Sequence, residues 1–215
     1  TSRLEKIHNV IFENSINGSV AVANEIATLI NAKQQTNSIC VLGLATGSSP
    51  IKVYEELIRL HREEGLSFKN VVTFNLDEYF PMQHDDIQSY HYFMNEHLFR
   101  HIDILSENIN IPNGDCTVEE SLILCAQYEE KIKKLGGIDF QLLGIGRTAH
   151  IGFNEPGSHQ NSTTRMVTLD HLTRSDAASS FLGMENVPKK AVTMGISTVL
   201  EARRIVLLAW GQNKA

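Results

Sequence analysis

Three short stretches hold the residue types that can move protons or bind an anion, and each follows an apolar run. The first is Gly144-Ile145-Gly146-Arg147-Thr148-Ala149-His150, continuing as Ile151-Gly152-Phe153-Asn154-Glu155-Pro156. His150 can shuttle a proton near neutral pH. Glu155 can hold that imidazole in one tautomer and stabilise its charged form, as an acid does for the base of a catalytic triad. Gly144 and Gly146 allow a sharp turn at the strand end. A satisfied loop histidine is the plainer reading, but the aperiodic stretch that follows, to about Thr173, is long for a compact domain and favours function.

The second stretch is Asp77-Glu78-Tyr79, directly after Val71-Val72-Thr73-Phe74-Asn75-Leu76. Adjacent acids on extended backbone point to opposite sides, so one can face a site while the other pairs elsewhere. A partly desolvated carboxylate beside a carbon-bound proton works as a general base, and Asp77 can serve so. A loop acid capping a turn fits the same residue. The third stretch is Ala45-Thr46-Gly47-Ser48-Ser49-Pro50, a small-residue turn before a helix. Free N–H groups, the helix dipole and three hydroxyls suit a phosphate there. It lacks the Gly-Lys-Ser/Thr of a P-loop, and a tight turn with an N-cap also accounts for it. His97 and His101, four apart, have no third ligand at sensible spacing, so they read as boundary histidines and no metal is expected.

The elements that must position these stretches follow from periodicity. Strands are expected at residues 38–44, 71–76, ending at 145, at 191–194 and at 204–209. Helices are expected at 18–33, from Ser49 as N-cap and Pro50 at the first helical position to Gly65, and at 89–99, 117–135, 174–182 and 197–203. This alternation predicts an α/β fold: a doubly wound, mostly parallel, Rossmann-like sheet with helices on both faces. Ligands of such sheets bind beyond the carboxyl ends of the strands, which is where the three stretches fall.

The 215 residues suffice for one domain with a sizeable core. A formal net charge of -6 argues against a nucleic-acid binder held by bulk charge. Cys40, Cys116 and Cys125 have no CxxC spacing and read as reduced thiols of a cytoplasmic protein. No signal-peptide pattern and no membrane-spanning apolar run is read, so no membrane partner is expected.

Taken together, LGLATGSSP, VVTFNLDEY, SYHYFMNEHLF, NINIPNGD, GIGRTAHIGFNEPGS and the terminal GQNKA resemble the glucosamine-6-phosphate deaminase (isomerase) family, from near residue 15 onward. The resemblance implies a doubly wound α/β fold. It also implies conversion of glucosamine 6-phosphate and water to fructose 6-phosphate and ammonia, with no metal or other cofactor. On it, Asp77 matches the base that moves a proton between C2 and C1, His150 the residue that helps open the pyranose ring, and Glu155 its supporting acid. Thr46, Gly47, Ser48 and Ser49 match the substrate and phosphate loop, with Gly144 beside it, and Lys214 matches a phosphate-binding lysine. The family tends to form homo-oligomers and continues into C-terminal helices, so residues 1–215 are expected to be one sugar-phosphate domain without those helices. A related sugar-phosphate isomerase, a 6-phosphogluconolactonase-like hydrolase and a non-catalytic sugar-phosphate sensor are the alternatives. The FNEP sequence speaks against the lactonase, and a retained Asp77 has little purpose in a sensor.

The chain also departs from the family pattern. Where Gly-x-Asp-Gly-His is usual, it has Arg147-Thr148-Ala149-His150 after Gly146. Thr148 keeps a hydrogen-bonding hydroxyl but brings no negative charge to favour a protonated imidazole. A phosphate-contacting arginine of the helix at 174–182 is replaced near Ser179, and Arg174 need not substitute. The Arg-x-Lys pair of an allosteric phosphate site becomes Arg165-Met166-Val167.

Overall fold

The computed structural model describes residues 7–211; Lys214 lies outside them. Helix α1 (Ser15–Gln35) starts where the Asn14 side chain accepts the Asn17 N–H at 2.9 Å. Strand β1 (Cys40–Leu44) follows, then α2 (Ile51–Glu64), β2 (Val71–Asn75), β3 (Asp77–Phe80), α3 (Tyr90–His97), β4 (Ile109–Asn110) and α4 (Val118–Lys134). The chain continues through β5 (Phe140–Gly144), β6 (Arg165–Thr168), α5 (His171–Ala177), β7 (Lys190–Thr193), α6 (Ile196–Leu200) and β8 (Arg204–Leu208).

Five strands form one sheet in the order β4-β2-β1-β5-β8, every pairing parallel. Strands β1 and β2 are buried at every position because helices cover both faces. On one face, Val22, Ile26 and Ile30 of α1, Tyr54 and Leu57 of α2 and Met94 of α3 pack against Leu42, Leu44, Phe140 and Leu142. On the other, Ile132 of α4 and Val199 of α6 pack against Val41, Val72, Phe74 and Leu143. The expected doubly wound α/β fold is thus present.

Two sequence expectations are corrected here. The strand at 191–194 is β7, and it joins a separate antiparallel sheet of order β3-β7-β6. Element order alone does not reveal a strand's partner. The stretch from 146 to 173, read as aperiodic, contains β6, none of whose residues is buried and which so leaves no alternating pattern. Leu76 joins the two sheets: its N–H donates to Leu44 O at 3.1 Å, and its carbonyl accepts from Met194 N at 2.6 Å.

Helix ends also differ in detail. Pro50, with helical backbone angles, occupies the N-cap of α2, and no side chain caps it, so Ser49 is not the N-cap. Gly65 ends that helix in the left-handed conformation, as its lack of a Cβ permits. Helix α5 begins earlier and is shorter than the expected 174–182, because Asp170 caps it by accepting the Leu172 N–H at 2.8 Å. Thr117 and Glu120 form a capping box at the start of α4.

Candidate active site

The strand order reverses between β1 and β5, since β2 and β4 lie to one side of β1 and β5 and β8 to the other. A crevice opens at such a reversal, beyond the carboxyl ends of the strands. The 45–50 turn leaves β1 and the 145–150 turn leaves β5, so both meet there. A Cβ on Gly144 would be 4.0 Å from Ser49 Cβ, which places the two turns side by side.

Asp77 enters from a third direction, at the start of β3 opposite Thr193. It is buried, and desolvation, followed by the neighbouring Glu78 charge, pushes its carboxyl up to about 8. The loop carrying His150 closes against it: at Gly152, which has φ +56, an added Cβ would meet Asp77 Oδ2 at 3.2 Å and Thr193 Oγ1 at 2.9 Å. Glu78 points the other way, into the start of α3, where it accepts N–H bonds from Tyr90 and His91. The opposed directions expected of adjacent acids are therefore observed.

His150 is held by a short relay. Its Nδ1 is 2.7 Å from Thr148 Oγ1 and 3.2 Å from Glu155 Oε2. Thr148 Oγ1 donates to Glu155 Oε2 at 3.3 Å, so it accepts from Nδ1–H, and that tautomer leaves Nε2 unprotonated and able to take a proton. The other Glu155 oxygen accepts from Thr173 Oγ1 and from Asp170 N. Glu155 therefore supplies the negative charge that Thr148 lacks. Ala149, between Thr148 and His150, is held at φ +61, a strained backbone for a residue with a Cβ.

The 45–50 turn is linked to β3 by hydroxyls. The Tyr90 hydroxyl is hydrogen-bonded to Thr46 and to Tyr79 of β3, and burial pushes the Tyr90 phenol well above its usual range. Gly47 has φ +89, and open space surrounds the position its Cβ would take, so a ligand can approach the backbone closely. Ser48 is exposed and Ser49 partly so, with the Ser49 carbonyl accepting from Trp210 Nε1 at 3.2 Å.

The structure thus sets Thr46, Gly47, Ser48, Ser49, Thr148, His150 and Glu155 on the turns that follow β1 and β5, with Gly144 at the end of β5 and Asp77 at the start of β3 against Gly152, while Lys214 lies outside the described residues. Arg174 donates to Met184 O at 2.9 Å and Val187 O at 3.1 Å, which commits its guanidinium to the turn after α5. Arg165 donates to Asn154 Oδ1 at 3.0 Å and Ser158 Oγ at 3.1 Å. His97 packs on Phe93, and His101 meets the Glu96 carbonyl at 2.9 Å, both away from this crevice. Sequence reasoning missed Thr173, Gly152 and Tyr90. Thr173 belongs to a distant helix and carries no local signal, whereas Tyr90 and Gly152 stand inside the matching stretches SYHYFMNEHLF and GIGRTAHIGFNEPGS.

A family model described as glucosamine-6-phosphate isomerases/6-phosphogluconolactonase matches residues 17–215. The chain belongs to this family. Within the glucosamine-6-phosphate isomerase/6-phosphogluconolactonase family it is 51% identical over 175 residues to glucosamine-6-phosphate deaminase 1 of Bacillus subtilis, covering 81% of this chain and 72% of that protein. A glucosamine-6-phosphate deaminase-like protein of Bacteroides thetaiotaomicron is 48% identical over 214 residues. That match takes in 100% of this chain and 32% of the relative, so the chain spans about a third of that protein's length. A solved structure described as a monomeric glucosamine-6-phosphate deaminase superposes with a TM-score of 0.86 at 45% identity, covering 91% of this chain and 79% of that one.

Proposed function

We propose that this chain deaminates glucosamine 6-phosphate, giving fructose 6-phosphate and ammonia. The observation that carries the reading is Asp77, a desolvated carboxylate with raised proton affinity, closed over at Gly152 by the loop that bears the His150–Glu155 pair. In this reading the phosphate rests on the turn at Thr46, Gly47, Ser48 and Ser49, with Gly144 beside it, and Lys214 adds a cation. His150 accepts a hydroxyl proton at Nε2 and returns it to the ring oxygen as the pyranose opens. Asp77 then takes the C2 proton and delivers it to C1 through an enolamine. Water adds to the resulting C2 imine, and ammonia leaves. Thr148 and Glu155 hold the imidazole and balance its charge while it is protonated.

The same reading places the reaction in amino sugar breakdown in the cytoplasm and needs no cofactor. It also takes the chain to be one domain, and a homo-oligomer. Sedimentation velocity tests the assembly, with a monomer, as the solved relative is described, as the outcome against it. The deciding experiment is ammonia release from glucosamine 6-phosphate by the native protein and by Thr148→Asp. Release by the native protein supports the reading, and silence from both overturns it.

A further inference from the structure

Glu78 is fully buried beside Asp77, and among the described residues its ionic partner is a histidine. Its carboxylate accepts the N–H groups of Tyr79 at 2.9 Å, Tyr90 at 2.9 Å and His91 at 3.1 Å, and its Oε2 lies 3.0 Å from His91 Nδ1. No lysine or arginine pairs with it among the described residues. The outer face of His91 is covered by the exposed His84, stacked on it with ring centroids 3.9 Å apart and planes at 17°. His84 Nε2 in turn meets Asn113 Oδ1 at 3.1 Å. A line of titratable groups therefore runs from solvent through His84 and His91 to Glu78, one residue from the candidate base.

The other charged groups around His91 have partners or lie further along their elements. On the 81–88 loop, Asp86 Oδ1 accepts the Gln88 N–H at 2.8 Å, and Asp85 is exposed. On the segment after β4, Asp115 accepts from Gln83 Nε2 at 2.7 Å. On α3 itself, Glu96 pairs with Arg100.

We propose that His91 is a positioning residue whose protonation offsets the Glu78 charge and so raises the ionised share of Asp77 in acidic medium. The inference rests on the reading of Asp77 as the base. With His91 neutral, the Glu78 charge opposes a second negative charge on Asp77 and favours its protonated form. Once His91 takes a proton, that opposition is cancelled and part of the Asp77 population gives its proton up. The Asp77 curve then reflects its electrostatic neighbours as well as its own proton, and is broader than that of one independent acid. At an effective dielectric near 20, charges on the order of 10 Å apart change each other's midpoint by about one pH unit.

The test compares His91→Asn, which keeps a hydrogen-bond donor without charge, with His91→Lys, which keeps a permanent cation. Two readouts are followed: kcat/KM for ammonia release at pH 8 and pH 6, and the ¹³C carboxyl titration of Asp77 in the free protein, assigned with Asp77→Asn. His91→Asn is expected to lose roughly fivefold more activity than the native protein between pH 8 and pH 6, and to sharpen the Asp77 curve to a single-proton shape. His91→Lys is expected to retain the low-pH activity. Glu78→Gln is expected to lower the Asp77 midpoint by about one unit. If Glu78→Gln does not fold, the two His91 variants decide. Equal losses at both pH values, or an Asp77 curve unchanged by His91→Asn, would overturn the inference. Native protein that releases no ammonia, yet shows the expected carboxyl titrations, sinks the deaminase reading and leaves this coupling standing.

Discussion

The imidazole of His150 occupies the place that a side chain on Gly146 would need: a Cβ built there would be 2.1 Å from His150 Nε2. The two residues are tied further by a Gly146 N–H bond to the His150 carbonyl at 2.9 Å. Gly146→Ala must therefore push the ring away from Thr148 and Glu155. Overpacking of this kind costs about 1–3 kcal/mol. The larger expected effect is on chemistry, a fall in kcat of about 100-fold with KM little changed, read by steady-state ammonia release. A kcat within twofold of native would show that His150 is not the working group.

Asp77→Asn separates catalysis from stability. Turnover is expected to fall by about 10²–10⁴-fold. Stability should respond in the opposite sense above neutral pH. Because the folded-state value is raised to about 8, the native protein holds this proton more tightly than the unfolded chain does. Asp77 therefore removes stability as pH rises from about 4 to about 8, at a rate of up to about 1.4 kcal/mol per pH unit. Urea midpoints at pH 5, 7 and 9 should fall less steeply for the variant. Parallel curves would mean that the carboxyl is not buried in its charged form.

Thr148→Val tests the relay. It removes the hydroxyl that accepts from His150 and donates to Glu155 while keeping the side-chain shape. One lost hydrogen bond of this type is worth about 1–1.5 kcal/mol, so kcat should drop about tenfold. Thr148→Asp should keep or exceed native activity. If the valine variant is as active as native, Glu155 orients the imidazole directly across its 3.2 Å contact.

Asp139, at the base of β5, carries a purely structural prediction. It is buried, accepts from Lys33 Nζ at 2.8 Å, Arg203 Nη1 at 3.1 Å and Val41 N at 3.0 Å, and so joins α1, β1 and the turn before β8. Asp139→Ala should cost about 1–3 kcal/mol, mostly because it strands the Val41 N–H, since Lys33 and Arg203 keep contact with water. Chemical denaturation measures this, and activity per folded molecule should not change.

Much of the site was legible because its residues sit next to strong local signals. Gly47, Asp77 and His150 each follow an apolar strand, and the carboxyl ends of parallel strands are where crevices form. Glu155 was legible as a partner of His150 from proximity in sequence, five residues along an irregular loop. Thr173 was not, because it reaches Glu155 from α5 and nothing in its neighbours marks it. Ser49 was misjudged as a cap because residue type favours that role, whereas the Trp210 contact and the backbone of Pro50 fixed the turn differently.

By itself the sequence determined the alternation of strands and helices, the positions of the turns and the chemical types available at each strand end. These depend on hydrophobic period and on local backbone preference, which are written in neighbouring residues. Tertiary structure alone decided that β3, β6 and β7 form a second, antiparallel sheet, and that Gly152 packs against a buried Asp77. It alone set Glu78 against His91 and His84. Those outcomes require segments far apart in the chain to exclude solvent together, and desolvation belongs to the packed whole rather than to any stretch of it.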